Sequence, residues 1–176
     1  MNTFPGLTPG TWTVDPSHSE VGFVARHLMV TKVRGRFGEV AGTVTVGEDL
    51  ATTHVEATAE VGSITTGNAD RDAHLRSGDF FDADTYPQLR FVSTSVTTDS
   101  LTGELTIKDV TREVTFDLDF EGVATDPWGN TKAAFSATTK VDRTDWGLTW
   151  NAALETGGVL VSEKVDIVLE VQLVKA

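Results

Sequence analysis

A regular alternation of apolar and polar residues runs through this chain of 176 residues and constrains its fold more than any other feature. In residues 113–121, Val114, Phe116, Leu118 and Phe120 share one face of an extended chain, and acidic residues or Thr occupy the other. Successive side chains of a β-strand point to opposite faces, so this pattern predicts a strand with one buried and one wetted face. The pattern recurs along the chain, which indicates an all-β protein with an antiparallel sheet.

Eight segments with this alternation predict eight strands. They are residues 19–27, 33–46, 54–62, 89–98, 100–108, 112–121, 132–141 and 164–174. Trp12 to Val14 is expected to add a short edge strand. The phase of the alternation changes at Gly38, which predicts a β-bulge or a sharp bend there. Residues 108–111 predict a tight hairpin turn between two of the clearest strands.

Helical signals are few and lie in the connections. Asn68 can cap a helix over residues 69–77, because acidic residues follow in its first turn and Gly78 stands just after its end. Asp142 can begin one helical turn that ends at Asp145. The connection of residues 71–93 contains most of the first of these helices, and we expect it to form the mouth of a barrel. The chain shows no repeat or linker, so we predict one domain, residues 12–176, after an N-terminal tail of residues 1–11.

The inward positions of the predicted strands mix large residues with Gly and Ala and carry no obvious charge. Such a pattern fits either a tapered, filled barrel or a barrel with an apolar tunnel, since eight strands is close to the size at which a small ligand can be held. The residues expected to line the tunnel and its mouth are Phe23, Phe37, Ala57, Phe80, Phe81, Phe91, Leu105, Phe116, Phe135, Trp146 and Trp150.

Composition excludes several classes of function. The chain has no cysteine, so disulfide and thiolate chemistry are absent. The net charge of −12 opposes binding to nucleic acid and broad adhesion to anionic lipids. No segment has the eighteen or so continuous apolar residues of a membrane span, so we expect no integral membrane association. The N-terminus lacks the pattern of a secretion signal, and we therefore expect a cytoplasmic protein.

Motifs that could carry catalysis have simpler explanations. No two of the four His residues have the spacing of metal ligands, so we expect no metal and no cofactor. Asp15, His18 and Ser19 look like fragments of a triad, but Asp and Ser are also common turn residues. Asp142 and Asp145 could be paired carboxylates, although a helix cap explains the first, and the second could pair with Arg143 or another neighbour. We therefore expect no catalytic residue.

Two basic clusters could meet the headgroup of an anionic ligand. Arg71, His74 and Arg76 lie on the predicted helix, where bidentate Arg would suit a phosphate. A solvated helix face with an Asp72–Arg76 pair is the alternative. The rival cluster is Arg26, His27, Lys32, Arg34 and Arg36, which could instead be charge on an edge strand that deters aggregation.

Several motifs together resemble the YceI-like family, whose members are described as polyisoprenoid-binding. They are Trp12, Val14, Asp15, Pro16, His18, Ser19, Val21, Phe23 and His27; residues 33–37; Arg71, Asp72, His74, Leu75, residues 79–82, Tyr86 and Pro87; residues 105–107, Val110 and Thr111; and Asp142, Arg143, Asp145, residues 146–148, Trp150 and Asn151. The resemblance implies an eight-stranded antiparallel lipocalin-like barrel that encloses a long isoprenoid or a similar amphiphile. Many relatives carry a secretion signal, which this N-terminus lacks.

The sequence thus predicts a non-enzymatic protein that binds, stores or transports a small apolar ligand such as a polyisoprenoid, an isoprenoid quinone or another lipid. Two alternatives stay open. One is an enzyme that acts on a lipid or isoprenoid held in the same barrel, and the other is a structural or stress protein with a filled barrel. An exposed aromatic rim could also support a homodimer.

Overall fold

The computed structural model describes residues 3–28, 30–152, 154 and 160–176. Within these residues the chain forms eleven strands and one α-helix. The strands are β1 Gly10–Val14, β2 Glu20–His27, β3 Thr31–Phe37, β4 Val40–Val46, β5 His54–Glu60, β6 Ile64–Thr65, β7 Gln88–Val96, β8 Ser100–Ile107, β9 Val110–Thr125, β10 Thr131–Asp142 and β11 Lys164–Lys175. The helix α1 is Ala69–Arg76, and short 3-10 turns span Pro16–His18, Leu50–Thr52, Val61–Ser63 and Arg143–Trp146.

Eight of the strands form a closed antiparallel barrel, which confirms the predicted fold. The order around the ring is β1, β4, β5, β7, β8, β9, β10 and β11, and β1 closes it by pairing with both β4 and β11. The prediction that Trp12 to Val14 forms an edge strand is therefore wrong. Trp12 lies opposite Val44 on one side and Lys175 on the other, and its side chain is fully buried. The alternation of β1 is too short, at five residues, to predict a central strand, yet β1 lies between the longer strands β4 and β11 and pairs with both.

The predicted strand of residues 33–46 is bent in the middle, as the change of phase at Gly38 indicated. It divides into β3 and β4, and Ser63 satisfies the backbone at the break. The N–H of Gly38 donates to the carbonyl of Ser63 at 3.0 Å, and the N–H of Glu39 donates to the Ser63 hydroxyl at 3.0 Å. Because of the bend, β3 lies outside the ring, whereas β4 lies within it and pairs with β5.

The β2–β3 hairpin extends beyond the ring as a two-stranded ribbon. β2 pairs with residues 166–170 of β11, and β3 pairs with β2 over its whole length. On its other edge, β3 pairs with the short strand β6 at Arg36 and Phe37. The connection from β6 to β7, which contains α1, Phe80 and Phe81, packs between this ribbon and the barrel.

The predicted helix start at Asn68 and the predicted hairpin turn between β8 and β9 are confirmed. The Asn68 side chain accepts the N–H of Arg71, and the helix runs from residue 69 to 76. Asp142 caps a 3-10 turn rather than an α-helical one, and its carboxylate accepts the N–H and the hydroxyl of Thr144. Lys108 and Asp109 both have positive φ and join β8 to β9 in a two-residue hairpin.

The segment before β1, predicted as a tail, packs into one end of the barrel. Phe4 and Leu7 are 6% and 7% exposed. The Phe4 ring lies 5.0 Å from the Phe120 ring and 5.1 Å from the Phe135 ring, between centroids. These residues therefore belong to the core and close this end of the barrel.

Candidate ligand cavity

The barrel encloses a cavity of about 630 Å³, lined mainly by apolar side chains from the inner faces of the strands. This volume lies within the range of small-molecule sites, roughly 300–1,000 Å³. All the residues predicted to line the tunnel border this cavity: Phe23, Phe37, Ala57, Phe80, Phe81, Phe91, Leu105, Phe116, Phe135, Trp146 and Trp150. The barrel is hollow, and the alternation of the sequence identified its inner face.

Two small inward residues make room for neighbouring rings rather than for the cavity. A Cβ at Gly35 would stand 2.2 Å from Cζ of Phe23, and one at Gly103 would stand 2.5 Å from Cζ of Phe91. Each ring therefore lies across the bare backbone of the strand beside it, as aromatic residues often do at strand glycines. Ala57, in contrast, is half-buried and borders the open space.

Helix α1 supplies polar residues to the end of the cavity away from Phe4 and Leu7. Asp70, Arg71 and His74 line the cavity there. His27, at the end of β2, and Leu160 and Val161, which precede β11, line the same end. His27 and Val161 pair as an isolated β-bridge. An apolar chamber with a polar border at one end is the arrangement that an amphiphile requires.

A cluster of aromatic side chains around His74 forms the wall of the cavity at its polar end. The His74 ring meets the Trp150 ring edge-on at 4.6 Å and the Phe80 ring at 5.1 Å, between centroids. Its Nε2 lies 2.9 Å from a carboxylate oxygen of Asp79. The carboxylate fixes the orientation of the imidazole, and the ring in turn positions the two aromatic side chains.

Thr66 fixes Arg71 at the start of α1. The Arg71 Nε donates to the Thr66 hydroxyl at 2.7 Å, and Nη2 donates to its carbonyl at 2.8 Å. Two of the five guanidinium N–H groups are used in this way, which leaves three for a ligand. The buried carboxylate of Asp72 accepts the N–H and the hydroxyl of Thr66, at 2.8 and 2.6 Å. The Asp72–Arg76 pair of the alternative interpretation is not formed among the described residues, since Thr66 engages Asp72.

Arg76 does not join Arg71 and His74. It borders a separate polar cleft of about 570 Å³, together with Glu39, Glu60 and Asp84. Residues 71 and 74 are three apart and share one face of a helix, whereas residues 71 and 76 are about 140° apart around it. The helical period could have separated them from the sequence alone.

Arg143 anchors the wall of the cavity, and the pair with Asp145 that the sequence suggested is not among the ion pairs of the described residues. Its buried guanidinium donates to the carbonyls of Leu148 and Val161 and, at 2.9 Å, of Ser162. It also lies 5.7 Å from the centre of the Phe80 ring. Burial lowers the pKa of Arg143, but arginine stays charged in proteins. The position of Arg143 in the sequence, between Asp142 and the two tryptophans Trp146 and Trp150, was the signal that could have identified this role.

Asp15, His18 and Ser19 form a turn rather than a catalytic triad. The Asp15 carboxylate accepts the N–H and hydroxyl of Ser17 and lies 2.8 Å from Nδ1 of His18. Ser19 bonds the backbone of Gln172 instead. Hydrogen bonds from Ser17, His18 and Lys132 hold the pKa of Asp15 well below its usual value.

The remaining acidic residues with shifted pKa values are also turn residues. Hydrogen bonds within their own turns, with Asn130 and Thr144 respectively, lower the pKa of Asp126 and of Asp142. The backbone carbonyl of Asp145 accepts a hydrogen bond from Nε of Arg112 at 3.2 Å. The carboxylates of Asp126, Asp142 and Asp145 do not line the cavity. Within residues 3–28, 30–152, 154 and 160–176, no three His, Asp or Glu side chains gather as a metal site.

Among the helices of the described residues, none has the length and apolar character that crossing a membrane requires.

Comparison with known proteins agrees with the fold and the resemblance. A UPF0312 protein of Staphylococcus aureus (strain MSSA476) is 40% identical over 159 residues, which cover 88% of this chain and 91% of that protein. The crystal structure of BcnA from Burkholderia cenocepacia matches with a TM-score of 0.76 and 25% identity, over 90% of this chain and 98% of that chain.

Two further solved structures have the same fold. The YceI protein of Campylobacter jejuni matches with a TM-score of 0.72 and 26% identity, over 86% of this chain and 90% of that chain. A domain from Saccharophagus degradans, described as polyisoprenoid-binding, matches with a TM-score of 0.73 over 94% of this chain and 98% of that chain, at 14% identity. The family model of the YceI-like domain matches residues 12–173, and the chain therefore belongs to the YceI-like family.

Proposed function

We propose that this protein binds and carries a long apolar amphiphile, such as a polyisoprenoid, an isoprenoid quinone or a similar lipid, inside the barrel. The observation that carries the proposal is the apolar cavity of about 630 Å³, closed by Phe4 and Leu7 at one end and bordered by polar residues of α1 at the other. A relative described as polyisoprenoid-binding has the same fold, which supports this choice of ligand class.

The cavity volume sets the size of the ligand. At about 30 Å³ for a water-sized group, 630 Å³ holds about twenty such groups, which corresponds to a chain of about twenty carbons. Burial of a methylene contributes about 0.8 kcal/mol, so twenty buried carbons contribute about 16 kcal/mol, and ordering and association costs of about 8 kcal/mol leave about 8 kcal/mol for binding. That corresponds to dissociation constants around the micromolar range.

The polar end of the ligand lies beside Arg71 and His74 in this proposal. Arg71 keeps three N–H donors after its bonds to Thr66, and these suit a hydroxyl, carbonyl or phosphate oxygen. Asp70 and Asp79 stand close by and reduce the local positive charge. Arg76 takes no part, because it borders the other cleft.

A chain-length series tests the proposal. Geraniol, farnesol, geranylgeraniol and solanesol would be offered to the protein, and bound ligand counted by native mass spectrometry. We expect affinity to rise along the series up to about twenty carbons and then to level off, because further carbons lie outside the cavity. The absence of binding at every length would refute the proposal.

A matched pair of variants tests the headgroup position. R71Q is expected to weaken binding of geranylgeranyl phosphate about tenfold, as the loss of a charge-assisted hydrogen bond predicts, and to leave geranylgeraniol binding nearly unchanged. R76Q removes the same charge from the other face of α1 and should change neither. An equal effect of both variants would contradict the assignment.

An enzyme that uses the same cavity is the second candidate. The observation in its favour is the His74–Asp79 pair at 2.9 Å beside the cavity. Against it, the carboxylates whose pKa is lowered in this structure, Asp15, Asp126 and Asp142, lie away from the cavity. We therefore favour a carrier. A cytoplasmic location and a homodimer remain predictions from the sequence, which fractionation and analytical ultracentrifugation would test.

A further inference from the structure

The β2–β3 hairpin ends in an exposed apolar tip beside the cavity. Leu28 and Val30, here named the hairpin tip, are 43% and 74% exposed. The N–H of Leu28 donates to the carbonyl of Leu160 at 2.8 Å, and Leu160 and His27 both line the cavity. The hairpin tip therefore stands at the polar border of the cavity.

Neither folding nor turn geometry explains an apolar residue at position 28. Leu28 has φ of +55°, a left-handed conformation that Asn and Gly adopt readily and Leu rarely. Its side chain is also poorly buried, so packing does not compensate for the strain. A backbone outlier of this kind at an exposed position points to a role at the surface.

The outer face of the same hairpin is positively charged. Arg26, Lys32, Arg34 and Arg36, here named the basic face, are all exposed. Arg26 lies directly opposite Lys32, and Arg34 and Arg36 follow along β3 on the same side. Among residues 3–28, 30–152, 154 and 160–176, no carboxylate is within 4.0 Å of these four cations. Asp166, which lies opposite Val24, is engaged by Lys140 at 3.6 Å.

We propose that the hairpin tip and the basic face dock this protein on a lipid bilayer that contains anionic headgroups, with the polar border of the cavity held against the membrane. Docking itself requires no cargo. Its use as a loading route for ligand rests on the function proposed above.

The dimensions of the hairpin fit this role. The Arg26–Lys32 pair lies two residues behind Leu28, which is about 7 Å along a strand. Amphipathic helices that lie in a membrane interface bury their apolar side about 5–10 Å into the boundary between headgroups and acyl chains, and a reach of about 7 Å falls within this range. Leu28 and Val30 would thus reach the acyl boundary while the basic face lies among the headgroups.

The acidic character of the whole chain does not cancel this local attraction. The net charge of −12 opposes adhesion over long distances, but charges beyond about 8 Å are screened at physiological salt. Protection of the β3 edge, one of the two interpretations that the sequence left open for these cations, would explain the cations but not the exposed Leu28 and Val30. The combination of both features favours a membrane surface.

Vesicle flotation tests the proposal. The protein would be mixed with vesicles of phosphatidylcholine alone, or with vesicles in which about a third of the lipid is phosphatidylglycerol. We expect binding to the second kind only, with sensitivity to salt. Each Lys or Arg near an anionic surface strengthens binding about fivefold, so K32Q/R34Q should weaken it roughly 25-fold.

The variant L28N separates docking from folding. Asn accepts the left-handed conformation, so L28N should keep or raise the melting temperature while it weakens vesicle binding about tenfold. Two controls match these changes elsewhere. W128S removes a side chain that is 84% exposed in the turn joining β9 to β10, and R90Q/K175Q removes two cations outside the hairpin; both should bind vesicles like the wild type.

Three outcomes would overturn the proposal. The first is that the protein does not bind phosphatidylglycerol vesicles. The second is that the hairpin variants and their controls lose binding equally. The third is that the wild type forms a dimer and does not bind vesicles, while K32Q/R34Q or L28N is a monomer. The last would make the hairpin an interface between copies of this chain. Uptake of geranylgeraniol from cyclodextrin, measured on wild type and L28N, keeps the two proposals apart. Vesicle binding without uptake would refute the carrier function alone, and uptake without vesicle binding would refute docking alone.

Discussion

Filling the cavity from its wall should abolish ligand binding while leaving the barrel intact, and Ala57 is the position for this change. Ala57 is half-buried, borders the cavity and lies opposite Gly42 on one side and Phe91 on the other. Ala137 also lines the cavity but is only 5% exposed, so it leaves less room for a large side chain. We therefore choose A57W.

The expected loss follows from the volume. A cavity of about 630 Å³ holds about twenty water-sized groups, and the fused ring system of an indole, whose bonded atoms pack more closely than separate groups, takes the place of about five of them. Displacing five methylenes of the ligand at about 0.8 kcal/mol each removes about 4 kcal/mol of binding free energy. That corresponds to roughly a thousandfold weaker binding, from the micromolar to the millimolar range.

Geranylgeraniol binding by native mass spectrometry, together with a thermal denaturation curve, measures the effect. T43W is the matched control, because Thr43 is exposed on the outer face of β4 and does not line the cavity. We expect T43W to bind like the wild type and A57W to lose binding while it still unfolds cooperatively. A folded A57W with unchanged affinity would refute the placement of the ligand in the barrel.

Three further variants test the structure around the site. R143M leaves carbonyls without their charged donor and should lower the free energy of unfolding by about 3 kcal/mol in urea titrations. The lowered pKa of Asp15 stabilises the folded state above pH 3.8 and this contribution is lost as pH falls; D15N should therefore lose less stability on acidification than the wild type. G35A forces the Phe23 ring to move and should cost about 1–3 kcal/mol, whereas G62A, where a Cβ meets no atom within 4 Å, should be nearly neutral.

Local signals in the sequence predicted most of the barrel. Alternation identified the inner faces because side chains of a strand point to opposite sides in turn. Gly38 marked the bend because the phase of the alternation changes there, and Asn68 marked the helix start because its side chain caps the nearby N–H of Arg71. The residues expected at the cavity line it for the same reason, although their contact with a ligand remains a prediction.

Features that depend on distant parts of the chain were not visible in this way. The closing role of β1 arises from its two partners, β4 and β11, and five residues alone do not reveal them. Phe4 and Leu7 lie in a stretch rich in Pro and Gly, where burial depends on the open end of the barrel. The cover of Gly35 by Phe23 likewise depends on the register between β2 and β3.

The most direct test of the account is native mass spectrometry on freshly purified protein, followed by solvent extraction and identification of any bound molecule. We predict a bound amphiphile at one per chain, with an apolar part of about twenty carbons inside the cavity, lost from A57W and retained by T43W. A mass equal to that of the polypeptide alone, unchanged after incubation with geranylgeraniol, geranylgeranyl phosphate and isoprenoid quinones, would contradict the claim that this barrel is a ligand carrier.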